Sequence, residues 1–306
     1  NRYLISSCMW KKVKNLATIL KNTFKQWKSR DPFGQSAVIA YCAIFSLPGL
    51  LVLIITVAGY FFGHEAVSNH LRHQVSQAMG PQTAEQINNM VAKAYVNTGS
   101  LLAGILGVLT IIIGATGVFA QMQAKLNAIW EVKADPKKSG LLLMLKARLF
   151  SFGLILSIGF LLLISLVVSS VLNAGAGWVK AHWPDYIMFL FQLLNILVSL
   201  AVSTMLFALI FKILPDAKIK WKYVWVGSVI TALLFEVGKF LLGLYFGKAD
   251  PGKGYGPAGS VILILIWVSY SSMILFFGAE FTRVYTLKHH GEVLADEKGT
   301  KTVGKK

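Results

Sequence analysis

Six long apolar runs alternate with polar connections along the chain. They cover 36–62, 100–122, 149–172, 186–211, 224–246 and 258–285, and each is as long as the roughly 20 residues an α-helix needs to cross about 30 Å of hydrocarbon. The pattern predicts an all-α, polytopic membrane protein with six transmembrane helices. They form one membrane domain over 31–285, flanked by a segment over 1–30 and a polar tail over 286–306.

Two of the polar stretches have a pattern of their own. In 1–30, Trp10, Val13, Leu16, Ala17, Leu20, Phe24 and Trp27 recur at helical spacing. Lys11, Lys14, Lys21, Lys25 and Lys28 fall off that stripe or at its edge. This is the pattern of a basic amphipathic helix lying on a membrane, its lysines toward anionic headgroups. The longest connection, 63–99, carries the stripe Val67, Leu71, Val75 and Met79, a break at Gly80-Pro81, and a second stripe from Ile87 to Tyr95. Two short helices capping the outer face are expected there. Span two continues as a helix over 123–133, until Asp135-Pro136 stops it.

Composition agrees with this picture: 55% of the 306 residues are hydrophobic and 14% charged, which no ordinary soluble domain combines. The net charge of +17 is explained by sidedness. Lysines and arginines in the segments on alternate sides number 24 and 5, with Lys239 left inside a span. Positive segments stay in the cytoplasm, so both termini are expected inside. The expected partners are membrane lipids, through anionic headgroups at the cytoplasmic face, and not nucleic acid. No cleavable leader is read in the first 30 residues. Cys8 and Cys42 have no metal-ligand spacing around them, HEAVSNH (64–70) is not HExxH, and there is no Walker A motif. No metal, cofactor or ATP hydrolysis is expected.

The informative residues are the polar ones inside the spans, where each charge needs a partner or water. Glu236 lies near the middle of span five, and Lys239, three residues on, shares its helix face. Span four contributes Gln192, Asn195, Ser199 and Ser203, which fall within about 80° of one another on the helix wheel. Tyr270 of span six is expected level with Glu236. Pro48-Gly49 stands half way along span one, where a proline is expected to kink or break the helix. Two readings fit these residues: a polar internal cavity for an amphipathic or ionic substrate, or a buried ion pair with interhelical hydrogen bonds.

LPD at 214–216, Trp221, Tyr255-Gly256, LxWxxY at 265–270 and GAE at 278–280, in this order, resemble the YihY/BrkB family of bacterial inner-membrane proteins. AYCAIFSLPGLL (40–51) and LNAIWEVK (126–133) look like its first span and the extension after its second. The resemblance implies six helical spans and an association with envelope integrity, serum resistance and lipid transport. It also singles out Asp216 and Glu280 at the inner interface. Asp216, among Lys212, Lys218 and Lys220, is expected to order its loop through an ion pair. Glu280 has Arg283 at i+3, and either a local pair or an inner gate fits. A ribonuclease label attached to some members is not expected to hold: a metal-dependent nuclease needs a cytoplasmic cluster such as HxHxDH, and four of the six histidines, at 64, 70, 73 and 182, are expected outside. The functional expectation is a non-enzymatic transporter or flippase of a lipid or amphipathic anion; the alternative is a membrane scaffold.

Overall fold

A computed structural model describes residues 2–79, 81, 84–85, 88–89, 117–134, 185–249, 251–290, 294–295 and 299–301. Span three, most of span two and most of the second cap helix lie outside these residues. Seven α-helices are described: α1 (Arg2–Ser29), α2 (Pro32–Phe62), α3 (His64–Met79), α4 (117–130), α5 (Asp185–Ile213), α6 (Trp221–Ala249) and α7 (Gly259–His290). A 3₁₀ turn, Lys253–Ala258, joins α6 to α7. Two small antiparallel ladders complete the fold. β1 (Val132–Ala134) pairs with β4 (Gly299–Lys301), and β2 (Ala217–Lys218) with β3 (Leu294–Ala295), so the tail is strapped across the segments that follow α4 and α5.

Among the described residues, α5 (through Ile196–Ile213), α6 and α7 are long and apolar enough to cross a membrane. Their outer surfaces match a lipid solvent: Leu197, Val237, Phe240 and Leu241 are all more than half exposed, which in water would be an aggregation surface.

The start of α2 follows from three residues. Asp31, at φ 49°, accepts the Gly34 amide at its Oδ1, and Pro32 follows at the first helical position, where its missing N–H costs nothing. The helix therefore begins four residues before the apolar run. Gly63, at φ 87°, ends it. Between these ends α2 is continuous through Pro48 and Gly49, so that of the kink or break expected there the break does not form. Proline removes a single backbone hydrogen bond, and in an apolar environment no water competes for the others, so the helix carries on.

The amino-terminal helix is longer than its apolar stripe and docks by a different face. Ile19 and Thr23 are buried, Ile19 against Phe281 and Val284 of α7. Trp27 donates from Nε1 to the Met273 carbonyl (3.2 Å) and meets the Phe277 ring edge-on. Leu16, Leu20 and Phe24, placed on the same stripe as Trp27, stay exposed at 47%, 38% and 54%. The bundle selects the neighbouring sector because small Thr23 lets the backbones approach, and the rest of the stripe is left for lipid. The helix α3 forms as expected, with Val67 buried and Val75 packed on the facing ends of α6 and α7 beside Leu242, Phe246 and Leu263.

The tightest helix contact is the antiparallel crossing of α6 and α7. A Cβ added at Gly227 would stand 1.8 Å from Thr282 Oγ1, and one at Gly278 would stand 1.9 Å from Thr231 Oγ1. Each threonine donates its hydroxyl to the carbonyl four residues back in its own helix, Thr231 to Gly227 and Thr282 to Gly278, both at 2.7 Å. Two Gly-x-x-x-Thr segments thus interlock reciprocally, with no polar group left to face lipid. About two turns further along α6, Gly238 lies against the Tyr270 ring. Gly227→Ala and Gly278→Ala are each expected to destabilise the protein by about 1–3 kcal/mol through overpacking, read as a lowered unfolding temperature in detergent. Gly243→Ala, where no atom lies within 4 Å of the added Cβ, is expected to be neutral.

Candidate functional site

Polar side chains gather at two depths. The deeper group is centred on Glu236, one residue past the middle of the 29-residue α6. Lys239 Nζ is 2.7 Å from Glu236 Oε2, and the two side chains are 33% and 29% exposed. Ser199 and Ser203 of α5 donate to Glu236 Oε1 at 3.2 and 3.4 Å. Lys239 Nζ also lies 5.8 Å from the centre of the Phe235 ring, within cation–π range. Tyr270 packs on Gly238, so its ring stands at the level of the ion pair on the next helix. Glu236, Lys239, Ser199 and Tyr270 thus share one level. Gln192 and Asn195 belong to α5, but their side chains lie outside the described residues, as do those of Pro48 and Gly49.

The second group lies at the ends of α1, α4 and α7 and is held by four charges in a closed ring. Glu280 is fully buried. Arg283 Nη1 donates to Glu280 Oε1 at 3.0 Å, and Arg30 Nε lies 3.1 Å from Oε2, an ion pair that is off-line for a hydrogen bond. Glu131 closes the ring, its Oε1 meeting Arg283 Nη2 at 2.5 Å and Arg30 Nη2 at 3.2 Å. Two further bonds orient the arginines: Arg30 Nη1 donates to the Ala128 carbonyl and Arg283 Nη1 to Gln26 Oε1, each at 2.7 Å. The ring is neutral overall and joins segments far apart in sequence. A narrow pocket beside it, between Trp27, Gln35 and Phe276, has room for about one water molecule. Glu280 thus makes the local pair with Arg283 and a second pair with Arg30, which is distant in sequence.

Asp216 is ordered by amides. Asn127 Nδ2 donates to Asp216 Oδ2 and the Asp216 backbone N–H donates to Asn127 Oδ1, both at 2.8 Å, while Gln123 Nε2 lies 3.4 Å from both carboxylate oxygens. The α5–α6 turn is thereby docked on α4, one residue from the carbonyl that holds Arg30. The reciprocal bond with Asn127 satisfies side chain and backbone together, which an ammonium has no acceptor to do.

Arg30, Glu131, Asn127 and Gln26 escaped the sequence reading because their partners are about 90 to 260 residues away. One signal was present. The chain has 13 acidic residues against 30 basic ones, so an acid beside an arginine, as Glu280 is three residues from Arg283, marks a place where positive charge converges.

The helices and their embedded charges define a multi-pass α-helical membrane protein. Residues 23–302 match the family model described as virulence factor BrkB, and the chain belongs to that family. Similar proteins include a UPF0761 membrane protein of Alteromonas mediterranea, 24% identical over 88% of this chain and 89% of its own length. Another UPF0761 membrane protein, from Pseudoalteromonas atlantica, is 26% identical over 90% and 89%. A third, from Teredinibacter turnerae, is 26% identical over 88% of this chain and 60% of its own length. No solved structure matches.

The two ring carboxylates differ in what their removal should cost. Glu280→Ala removes the buried carboxylate that Arg283 and Arg30 share, leaving the two cations one anion between them, and is expected to lower stability by about 3–5 kcal/mol. Glu131, 56% exposed, is expected to cost less than about 1 kcal/mol as alanine. Unfolding of the purified variants in detergent checks both.

Proposed function

We propose that this chain is a six-span protein of the bacterial inner membrane, both termini in the cytoplasm, that moves an amphipathic anion such as a lipid along the polar face between α5 and α6. The observation that carries the reading is the Glu236–Lys239 pair at mid-helix, about one-third exposed and flanked by the Ser199 and Ser203 hydroxyls. A pair about one-third exposed is not sealed off from other charged groups, and can exchange partners with a passing headgroup. Support for the sidedness comes from the second group of charges. The start of α2, the end of α4, the α5–α6 turn and the end of α7 meet at one end of the bundle, and these are the segments that lysine counting assigns to the inside. Anionic lipids are the partners this face suits, with α1 lying along it. The reading assigns no catalytic step to the chain and no nucleic-acid partner.

Proteoliposomes carrying a fluorescent phospholipid, quenched from outside, test the proposal. The protein is expected to speed exchange between leaflets, and Glu236→Gln combined with Lys239→Met, which removes both charges together, is expected to slow it at least about tenfold, the equivalent of about 1.4 kcal/mol in barrier. Exchange that is absent, or indifferent to the double variant at unchanged helicity, leaves the membrane-scaffold reading in its place.

A further inference from the structure

We infer that Arg30 and Arg283 form a binding site for an oxyanion at the inner face, and that Glu131 fills it in this structure as an internal stand-in. The assignment comes from how the guanidinium nitrogens are used. Arg30 spends Nε on Glu280 and Nη1 on the Ala128 carbonyl. Arg283 spends Nη1 on Glu280 and Gln26. Each arginine is thus held by the fully buried Glu280 and by one further acceptor, and each turns its Nη2 on the same atom, Glu131 Oε1. Two guanidinium groups converging on one oxygen are the arrangement that recognises phosphate or carboxylate.

The four ring members differ in exposure. Glu280, Arg283 and Arg30 are 1%, 10% and 27% exposed, and Glu131 is 56% exposed. Glu131 is therefore the member that can swing into water while the other three keep their places. Without it the neutral ring becomes a monocation, matched to one negative charge. The backbone adds an independent sign. Among the described residues the non-glycine residues at positive φ are Asp31 (49°), next to Arg30, and Glu131 (55°). Strained residues persist where the surroundings over-determine them, often at ligand clamps, and both flank this point.

The chemistry is shared by a lipid headgroup phosphate and by free phosphate. Binding requires nothing to cross the membrane, so the site stands or falls separately from transport. The test measures binding to the full-length chain in neutral detergent, with inorganic phosphate by equilibrium dialysis in one arm and a short-chain phosphatidylglycerol in the other. Glu131→Gln removes the competing charge and is expected to tighten binding about tenfold in at least one arm, as expected if the parent site is free about a tenth of the time. A gain with phosphate identifies a free-oxyanion site, and a gain with the lipid alone identifies a headgroup site. Adding Arg30→Ala is expected to abolish the gain. Glu131→Asp, which keeps the charge but shortens its reach, is expected to give a smaller gain and serves if the glutamine variant folds poorly. Unchanged binding in both arms by well-folded variants, or a gain that survives Arg30→Ala, would overturn the assignment.

Discussion

The crossing of α6 and α7 sets the register on which both polar groups depend. Gly227 against Thr282 and Thr231 against Gly278 leave no room for a side chain to grow in either direction. The two helices therefore cannot slide, because a slip of one turn would carry every side chain on α7 about 5.4 Å along the axis. The same five residues of α7 serve two partners. Gly278 and Thr282 lie within about 40° of each other on the helix and face α6. Glu280 projects from the other side, where Arg30 and Glu131 wait. Fixing the first contact fixes the depth of Glu280. Further out, the same register sets Tyr270 against Gly238 and so beside the Glu236–Lys239 pair.

Charges inside such a bundle persist only when the protein replaces the water they have lost. The inner ring does this with two cations, two anions and several carbonyl or amide acceptors, drawn from α1, α4 and α7. Its assembly requires the amino-terminal helix to reach the bundle, which explains the polar content of the docking face of α1. Gln26 bonds Arg283, and Trp27 uses its indole N–H on α7. A helix that only floated on lipid would have no reason to present these groups inward. The lysines at 21, 25 and 28 stay exposed and available to headgroups, so α1 divides its surface among protein, hydrocarbon and water.

The parts of this structure that were legible in the sequence were those governed by one segment at a time. The apolar runs mark α5, α6 and α7 to within three residues at either end, apart from the inner end of α7, which runs five residues further, to His290. The i+3 spacing of Glu236 and Lys239 gave their pairing, and the α5 stripe gave Ser199 its partner. What the sequence hid depends on two segments meeting. Pro48 looked like a break because propensity is local, whereas helix continuity in an apolar medium is enforced by the medium. The docking of α1 on α7 through Ile19 and Trp27 was hidden because periodicity reports which face is apolar and not which neighbour covers it. The Gly-x-x-x-Thr segments at 227–231 and 278–282 were visible as strings, but their interlock follows only once the helices are known to be antiparallel neighbours.

The relation between the two polar groups constrains any path through the protein. Glu280 is two residues from Gly278 and from Thr282, so on the α6 scale it lies near residue 229, about 10 Å inward of Glu236. The direct line between them along the α6–α7 seam is closed by Thr231 and Gly278. The other line, between α4, α5 and α7, is filled by buried Leu126, Trp130, Phe207, Phe211 and Phe276, with Phe235 packed against them. Within this apolar block Phe207 lies one helical turn from Ser203 on α5, and Phe276 one turn from Glu280 on α7. A headgroup held at the ring would thus meet hydrocarbon before it met Lys239, and could advance only if Phe207, Phe211 and Phe276 gave way. The seam is interlocked and cannot open without breaking two hydroxyl–glycine fits, whereas aromatic side chains can turn about their own bonds. Motion is accordingly cheaper at the aromatic block than at the seam, and the ring beneath it, tied by its one exposed member, is the part of the inner face that can yield first.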